Sequence, residues 1–217
     1  MRIIVAVVVH NRFKNIEEWV RCWNLCEKEN TEFIVIHNFK TEEDKQTYEE
    51  LCKNNNITYI PRKNIGMDIG ALQDVCRGRL EGFPNQWDYL LWCTDDVIPM
   101  SKKFISYYMR EIQRPNVGVV CLEVSKEVKL HIRTTGFIMS QETASRISFP
   151  VETITTKDHC YEFEHRSRNA FYEQIKRQGK TVKQAHSNFK HDVLWDIHIR
   201  HALDRWEEHY KEFPLAK

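Results

Sequence analysis

Two adjacent carboxylates, in Thr94-Asp95-Asp96, end the apolar run of residues 89–93. At the tip of a buried strand such a pair is mutually repulsive and poorly solvated, and a divalent cation relieves both problems. The ion would grip diphosphate oxygens and stabilise the charge that develops on a leaving nucleoside diphosphate. The simpler alternative is a turn capped by Asp95 and Asp96, since Val97-Ile98-Pro99 leads the chain out of the strand. Two further polar clusters sit at comparable places: His10-Asn11-Arg12 after residues 3–9, and the segment 64–70 that contains Asn64, Gly66, Asp68 and Gly70. In the latter, glycines let backbone approach a ligand closely, Asp68 is suited to accept hydrogen bonds from a base or ribose, and a helix N-terminus supplies free N–H groups. Its alternative is an ordinary turn with Asp68 as N-cap. It is not a dinucleotide fingerprint, because the G-x-G-x-x-G spacing is absent and it follows the third strand, not the first. Taken together, the three clusters favour the metal-diphosphate reading over a capped turn.

The elements that must position these clusters alternate. Residues 3–9 form an unbroken β-branched run suited to a central parallel strand. Asn15 is in place to cap the next helix, with Glu18 three residues on, and Ile16, Trp19, Val20, Trp23 and Cys26 share one helical face. The spacing then predicts strands over 33–36, 57–60 and 89–93, a helix over 41–53 capped by Thr41, and a helix over 69–80. In the second half it predicts a helix over 101–113, strands over 117–124, 128–132 and 137–139, and one long helix over 162–178. A strand over 181–184 and a helix over 196–209 complete the reading. Strand-helix alternation implies a doubly wound, mainly parallel sheet, and ligands of such sheets bind beyond the carboxyl ends of the strands. The expected architecture is one Rossmann-like α/β/α domain over 1–217, with residues 1–100 holding a nucleotide and residues 101–217 an acceptor.

Composition narrows the function. The 217 residues carry 32 basic and 31 acidic side chains, a net charge of +1. A nucleic-acid binder needs a clear basic excess, so that class is set aside. Seven cysteines lie scattered, most of them in apolar runs, as free buried thiols in a reducing compartment would. The first apolar run is too short for a signal peptide or membrane span, so the expectation is a cytoplasmic protein with no integral membrane segment.

Residues 7–12, Asn64-x-Gly66-x-Asp68 and Thr94-Asp95-Asp96 together resemble the strand-loop, second nucleotide segment and DxD motif of GT-A-fold glycosyltransferases. Order and spacing agree over residues 3–100, and more weakly to about residue 192. The size is also similar to small glycosyltransferase domains encoded by large algal viruses. The resemblance implies a UDP-sugar donor, with glucose or a related hexose the simplest, and a glycan or glycoprotein acceptor. It implies that His10, Asn11, Arg12, Asn64, Gly66, Asp68 and Asp95 hold the nucleotide, and that Asp96 is the main ligand for Mn²⁺ or Mg²⁺. Thr94 replaces the first acid of the motif, which shifts ribose binding to Asp95. Asn38 stands where relatives often carry an acid that contacts the base.

For the second half the resemblance is the guide. Thr134-Thr135-Gly136-Phe137 resembles an acceptor-side segment, or equally a hairpin turn. Inverting relatives use one carboxylate as general base near the start of the following helix. Glu162 and Glu164 occupy that place, with Asp158 behind them, and residues two apart on a helix do not share a face, so one at most would point at the sugar. The alternative is that all three merely favour the helix N-terminus. His191, with His186 as runner-up, stands where many relatives complete the metal shell. The rival readings are a nucleotidyltransferase, which would usually show a basic glycine-rich loop after the first strand, and a nucleotide- or glycan-binding module without turnover.

Overall fold

A computed structural model describes residues 1–26, 28, 30–99, 102–126, 128–185 and 194–196. Strand β1 (Ile3–Val9) is buried along its whole length and leads into helix α1 (Phe13–Leu25). Strand β2 (Thr31–Phe39), helix α2 (Glu42–Asn54), strand β3 (Thr58–Lys63) and helix α3 (Met67–Cys76) follow, then strand β4 (Tyr89–Thr94) and the short β5 (Val97–Pro99). The second half contains α4 (Phe104–Ile112), β6 (Val117–Cys121), β7 (Val124–Ser125), β8 (His131–Ile132), β9 (Gly136–Ser140) and α5 (Gln141–Ser145). Helix α6 (Lys157–Tyr161) runs into a π-helical turn (Glu162–Arg166), and α7 (Phe171–Arg177), β10 (Thr181–Gln184) and β11 (Leu194–Asp196) complete the described chain.

One 7-stranded sheet runs β10-β6-β9-β4-β1-β2-β3. Strands β3, β2, β1 and β4 are parallel, and β10 is parallel to β6. Strand β9 alone is reversed, antiparallel to β4 and to β6. The sheet is thus mixed and mainly parallel, as expected. Alternation along β1 explains its all-apolar sequence. Ile3, Val5, Val7 and Val9 enter one core with α1, α2 and α4, whereas Ile4, Ala6 and Val8 enter the other with α3 and α7. Helices therefore cover both faces. All seven cysteines are free thiols, six of them buried. Trp87 and Trp92 are core residues, and no helix among the described residues is long and apolar enough to cross a membrane.

Several expected elements differ in detail. Asn15 does not cap α1: the helix begins at Phe13, and the buried Asn15 amide instead donates to the Asp95 carbonyl at 2.7 Å. Thr41 does cap α2, accepting from the Asp44 N–H at 3.2 Å. Helix α3 starts at Met67 with Gly66 at its N-cap, so Asp68 lies inside the first turn and does not cap it. The expected strands over 117–124 and 128–132 break into β6 and a small β7–β8 hairpin. The long helix expected over 162–178 is two pieces, because the π-turn ends at Arg166 and extended backbone at Ser167 and Ala170 restarts the chain. The helix expected from 196 lies outside the described residues except for Asp196, which is in β11.

Candidate active site

Strand order places β1 between β2 and β4, so the chain diverges to either side of β1 and a crevice opens at the carboxyl ends. A cleft of about 750 Å³ occupies that place. One wall is formed by His10, Asn11, Arg12, Asn38, Asn64, Asp68 and Thr94-Asp95-Asp96; the other by His131, Arg133, Thr134, Thr135, Lys157, Tyr161, Glu164 and His165. The structure thus brings together ten of the thirteen candidate site residues, drawn from segments far apart in the chain. Gly66 and Glu162 are not among the lining residues, and His186 and His191 lie outside the described residues.

The acidic tip is held by backbone. The Asp95 N–H donates to the Val8 carbonyl at 3.0 Å and the Thr94 N–H to the Thr135 carbonyl at 3.0 Å. The Asp95 carboxylate accepts from the His10 N–H at 3.2 Å. Burial pushes the Asp95 carboxyl up to about 6, against the opposing pull of Arg12 and the His10 N–H. Arg12 lies 3.8 Å from the Asp95 carboxylate and forms an ion pair with Asp96. Thr94 Oγ1 is buried with no hydrogen-bond partner among the described residues. No group of three or more His, Cys, Asp or Glu side chains gathers as a metal cage among the described residues. The donor set nevertheless suits a hard cation of the Mg²⁺ type, which binds through one or two carboxylates and completes its shell with water and substrate phosphate. A cation at Asp96 must compete with the Arg12 guanidinium.

The base-side corner is a hydrogen-bonded knot. His10 Nδ1 donates to the Asn38 carbonyl at 2.7 Å, which leaves Nε2 as acceptor toward the Asn64 amide at 3.3 Å. The Asn38 amide is used at both ends: it donates to the Met67 carbonyl at 3.1 Å and accepts from Arg62 at 2.9 Å. Arg62 in turn pairs with Asp74 at 2.8 Å. Asn38 therefore ties the tips of β2 and β3 to α3, and its side chain has little capacity left for a base. Arg62 went unread in the sequence because nothing local distinguishes it from a surface cation. Gly66 also serves the frame. Its φ is +72°, and a Cβ there would lie 2.1 Å from the Ile154 carbonyl oxygen. Met67 continues the left-handed path at φ +53°, and this uncommon pair of turns delivers Asp68 to the cleft.

On the opposite wall the π-turn decides which glutamate faces in. Phe163 is buried and stacked between Phe149 at 4.8 Å and Phe171 at 5.3 Å. With Phe163 anchored in the core, Glu164 and His165 line the cleft and Glu162 does not. Glu164 is pushed up to about 7, first by burial and then by the charge of Asp68, against Thr134 and Arg133. Asp68 is raised as well, by burial, although the N–H groups of Ile69 and Asp68 and the Thr134 hydroxyl stabilise its charge. The Thr134 hydroxyl is within reach of both acids, 3.3 Å from Asp68 and 3.4 Å from Glu164. Arg166 pairs with Asp158 at 2.8 Å. His131, Arg133 and Lys157 carried no local signal and reach the cleft through the β7–β8 hairpin and α6.

The sequence matches no family model and no curated protein. Solved structures do match. A mannosyltransferase of Pyrobaculum calidifontis, PcManGT, in complex with GDP-Man and Mn²⁺, superposes at a TM-score of 0.64 with 12% identity over 98% of this chain. TarS of S. aureus superposes at 0.54 with 15% identity over 86%. The 4-diphosphocytidyl-2C-methyl-D-erythritol synthase of Anaerococcus prevotii superposes at 0.58 with 9% identity over 97%. The chain spans 61% of the mannosyltransferase and 35% of TarS, but 96% of the synthase. At these identities the likeness is one of fold: the chain is a Rossmann-like α/β/α domain of the GT-A type, built on a frame it has in common with these three structures.

Proposed function

We propose that the protein is a glycosyltransferase that moves a hexose from a UDP-sugar to a hydroxyl of a glycan or glycoprotein acceptor, with inversion at the anomeric carbon. The observation that carries the reading is a single cleft with an acidic, cation-compatible tip at 94–96 on one wall and a proton-accepting Glu164 on the other. The mannosyltransferase structure with GDP-Man and Mn²⁺ supports a nucleotide-sugar and a divalent ion in a frame of this kind. The loop 10–12, Asn64 and Asp95 would hold the nucleotide. Asp96, with Asp95 beside it, would hold Mn²⁺ or Mg²⁺, which when bound supplies charge neutralisation for the leaving diphosphate. Arg12, released from Asp96, would turn to the phosphates. The acceptor oxygen attacks the anomeric carbon, the bond from that carbon to the phosphate oxygen breaks, and the acceptor proton passes to Glu164.

A nucleotidyltransferase is the second reading, favoured by the full-length superposition on the cytidylyl enzyme. Two features weigh against it. The loop His10-Asn11-Arg12-Phe13 lacks the basic, glycine-rich character that such enzymes use. A phosphate nucleophile is also already anionic, so it needs no base and would be repelled by Asp68 on the one wall and Glu164 on the other. Transfer or hydrolysis of UDP-glucose, measured with Mn²⁺, tests the proposal. Asp96→Ala should abolish the metal-dependent rate while circular dichroism stays unchanged, and undiminished turnover in that variant would refute the metal assignment.

A further inference from the structure

We propose that Asp68 serves the acceptor side of the cleft and not the nucleotide, forming through the Thr134 hydroxyl a proton-sharing pair with Glu164 that makes Glu164 an effective base. The inference deepens the glycosyltransferase reading and rests on Glu164 as the proton acceptor there. Three observations carry it. The left-handed turns at Gly66 and Met67 aim Asp68 into the cleft, where its carboxylate receives the Thr134 hydroxyl at 3.3 Å. The same hydroxyl lies 3.4 Å from Glu164, 96 residues further along the chain, so one donor stands between two acids. Both acids are raised from their ordinary range, and the charge of Asp68 is the second cause at Glu164 after burial.

The chemistry follows from the inventory of one hydroxyl, which has one proton to give and lone pairs to accept. With Glu164 ionised, two carboxylates compete for that proton, and Arg133 and the nearby N–H groups offset their repulsion only in part. When Glu164 takes the acceptor's proton, it donates to Thr134 Oγ1, Thr134 donates to Asp68, and a single negative charge remains on Asp68. No atom leaves the pair and no co-reactant is needed. Asp68 is therefore a positioning residue: it makes proton uptake at Glu164 favourable without touching substrate. The other groups on this wall are Arg133 and Lys157 as cations, His131 and His165, the Cys160 thiol and Tyr161. None of them is altered by replacing Asp68, so the comparison is aimed at Asp68.

The test is a direct titration of Glu164 by carbon-13 NMR of carboxyl-labelled glutamate, assigned by its loss in Glu164→Gln. Asp68→Asn should lower the Glu164 midpoint by about one pH unit, a tenfold loss of proton affinity. Thr134→Val should move it upward, because a donor to the charged form is lost. In parallel, calorimetry with UDP and Mn²⁺ should show the dissociation constant of Asp68→Asn within about threefold of the parent. A Glu164 midpoint that stays put in folded Asp68→Asn and Thr134→Val would overturn the pairing. So would a more than tenfold weaker UDP complex in Asp68→Asn without movement of that midpoint, since Asp68 would then belong to the nucleotide. Should Asp68→Asn fail to fold, Thr134→Val decides alone. The base assignment fails separately, if Glu164→Gln transfers sugar at the parental rate, and that result is read without reference to the titration.

Discussion

At Glu164, burial and the proposed role as base pull against each other. Its carboxyl is raised from 4.5 to about 7, which suits a general base working near neutrality. In the proposed reaction the charged form is the active one, so kcat/KM should rise about tenfold per unit as pH climbs toward 7 and level off above it. Glu164→Gln should cost about 10²–10⁴-fold in kcat while leaving UDP affinity unchanged in calorimetry. The stability consequence has the opposite sign. The folded protein binds this proton more tightly than the unfolded chain, so the contribution of Glu164 is most favourable at low pH. It is lost as pH rises from 4.5 to 7 and does not change further above that. Glu164→Gln should accordingly melt a few degrees above the parent at pH 8, with the difference vanishing near pH 4.5. A melting difference that grows on acidification would contradict the assignment of the raised group.

At the scale of elements, the site depends on two places where helical geometry is broken. The π-turn at Glu162–Arg166 adds a residue per turn just where Phe163 must stay in the core and Glu164 must face the cleft. The entry to α3 is the other. At Gly66 the left-handed backbone and the Ile154 carbonyl both exclude a Cβ, whereas at Gly78, with φ +62°, nothing lies within 4 Å. Gly78→Ala should then cost about 1 kcal/mol, the ordinary penalty of left-handed backbone. Gly66→Ala should cost about 2–4 kcal/mol, because the chain near Ile154 must also shift. Urea denaturation of the two variants measures the difference; equal losses would mean that the close approach contributes nothing.

At the scale of the whole molecule, the same frame holds sugar and cytidylyl transferases, so ligand preference has to separate them. A ligand that binds only the folded state raises stability by about 2.7 kcal/mol at a hundredfold excess over its dissociation constant. UDP-glucose with Mn²⁺ should therefore raise the melting temperature clearly, and the Mn²⁺-dependent part of the rise should disappear in Asp96→Ala. A larger shift with CTP than with any UDP-sugar would move the protein to the cytidylyl class.

Some of this was legible in the residues. The all-apolar run at 3–9 required a strand covered on both faces, and Val5 and Ala6 do enter opposite cores. The polar clusters at 10–12, 64–68 and 94–96 sit where strand ends must sit, so their convergence followed from the alternation of strand and helix. The sequence alone determined this much because periodicity and strand-end chemistry are local properties. It did not decide between Glu162 and Glu164, since a π-turn is set by packing Phe163 between Phe149 and Phe171, residues far from it in the chain or across a helix break. Nor did it reveal that Asn38 is consumed by Arg62 and Met67, or that Asp68 and Glu164 share one hydroxyl. Those facts belong to the tertiary structure, because a side chain's free hydrogen-bonding capacity and its proton affinity are set by whichever neighbours the fold brings within a few ångströms.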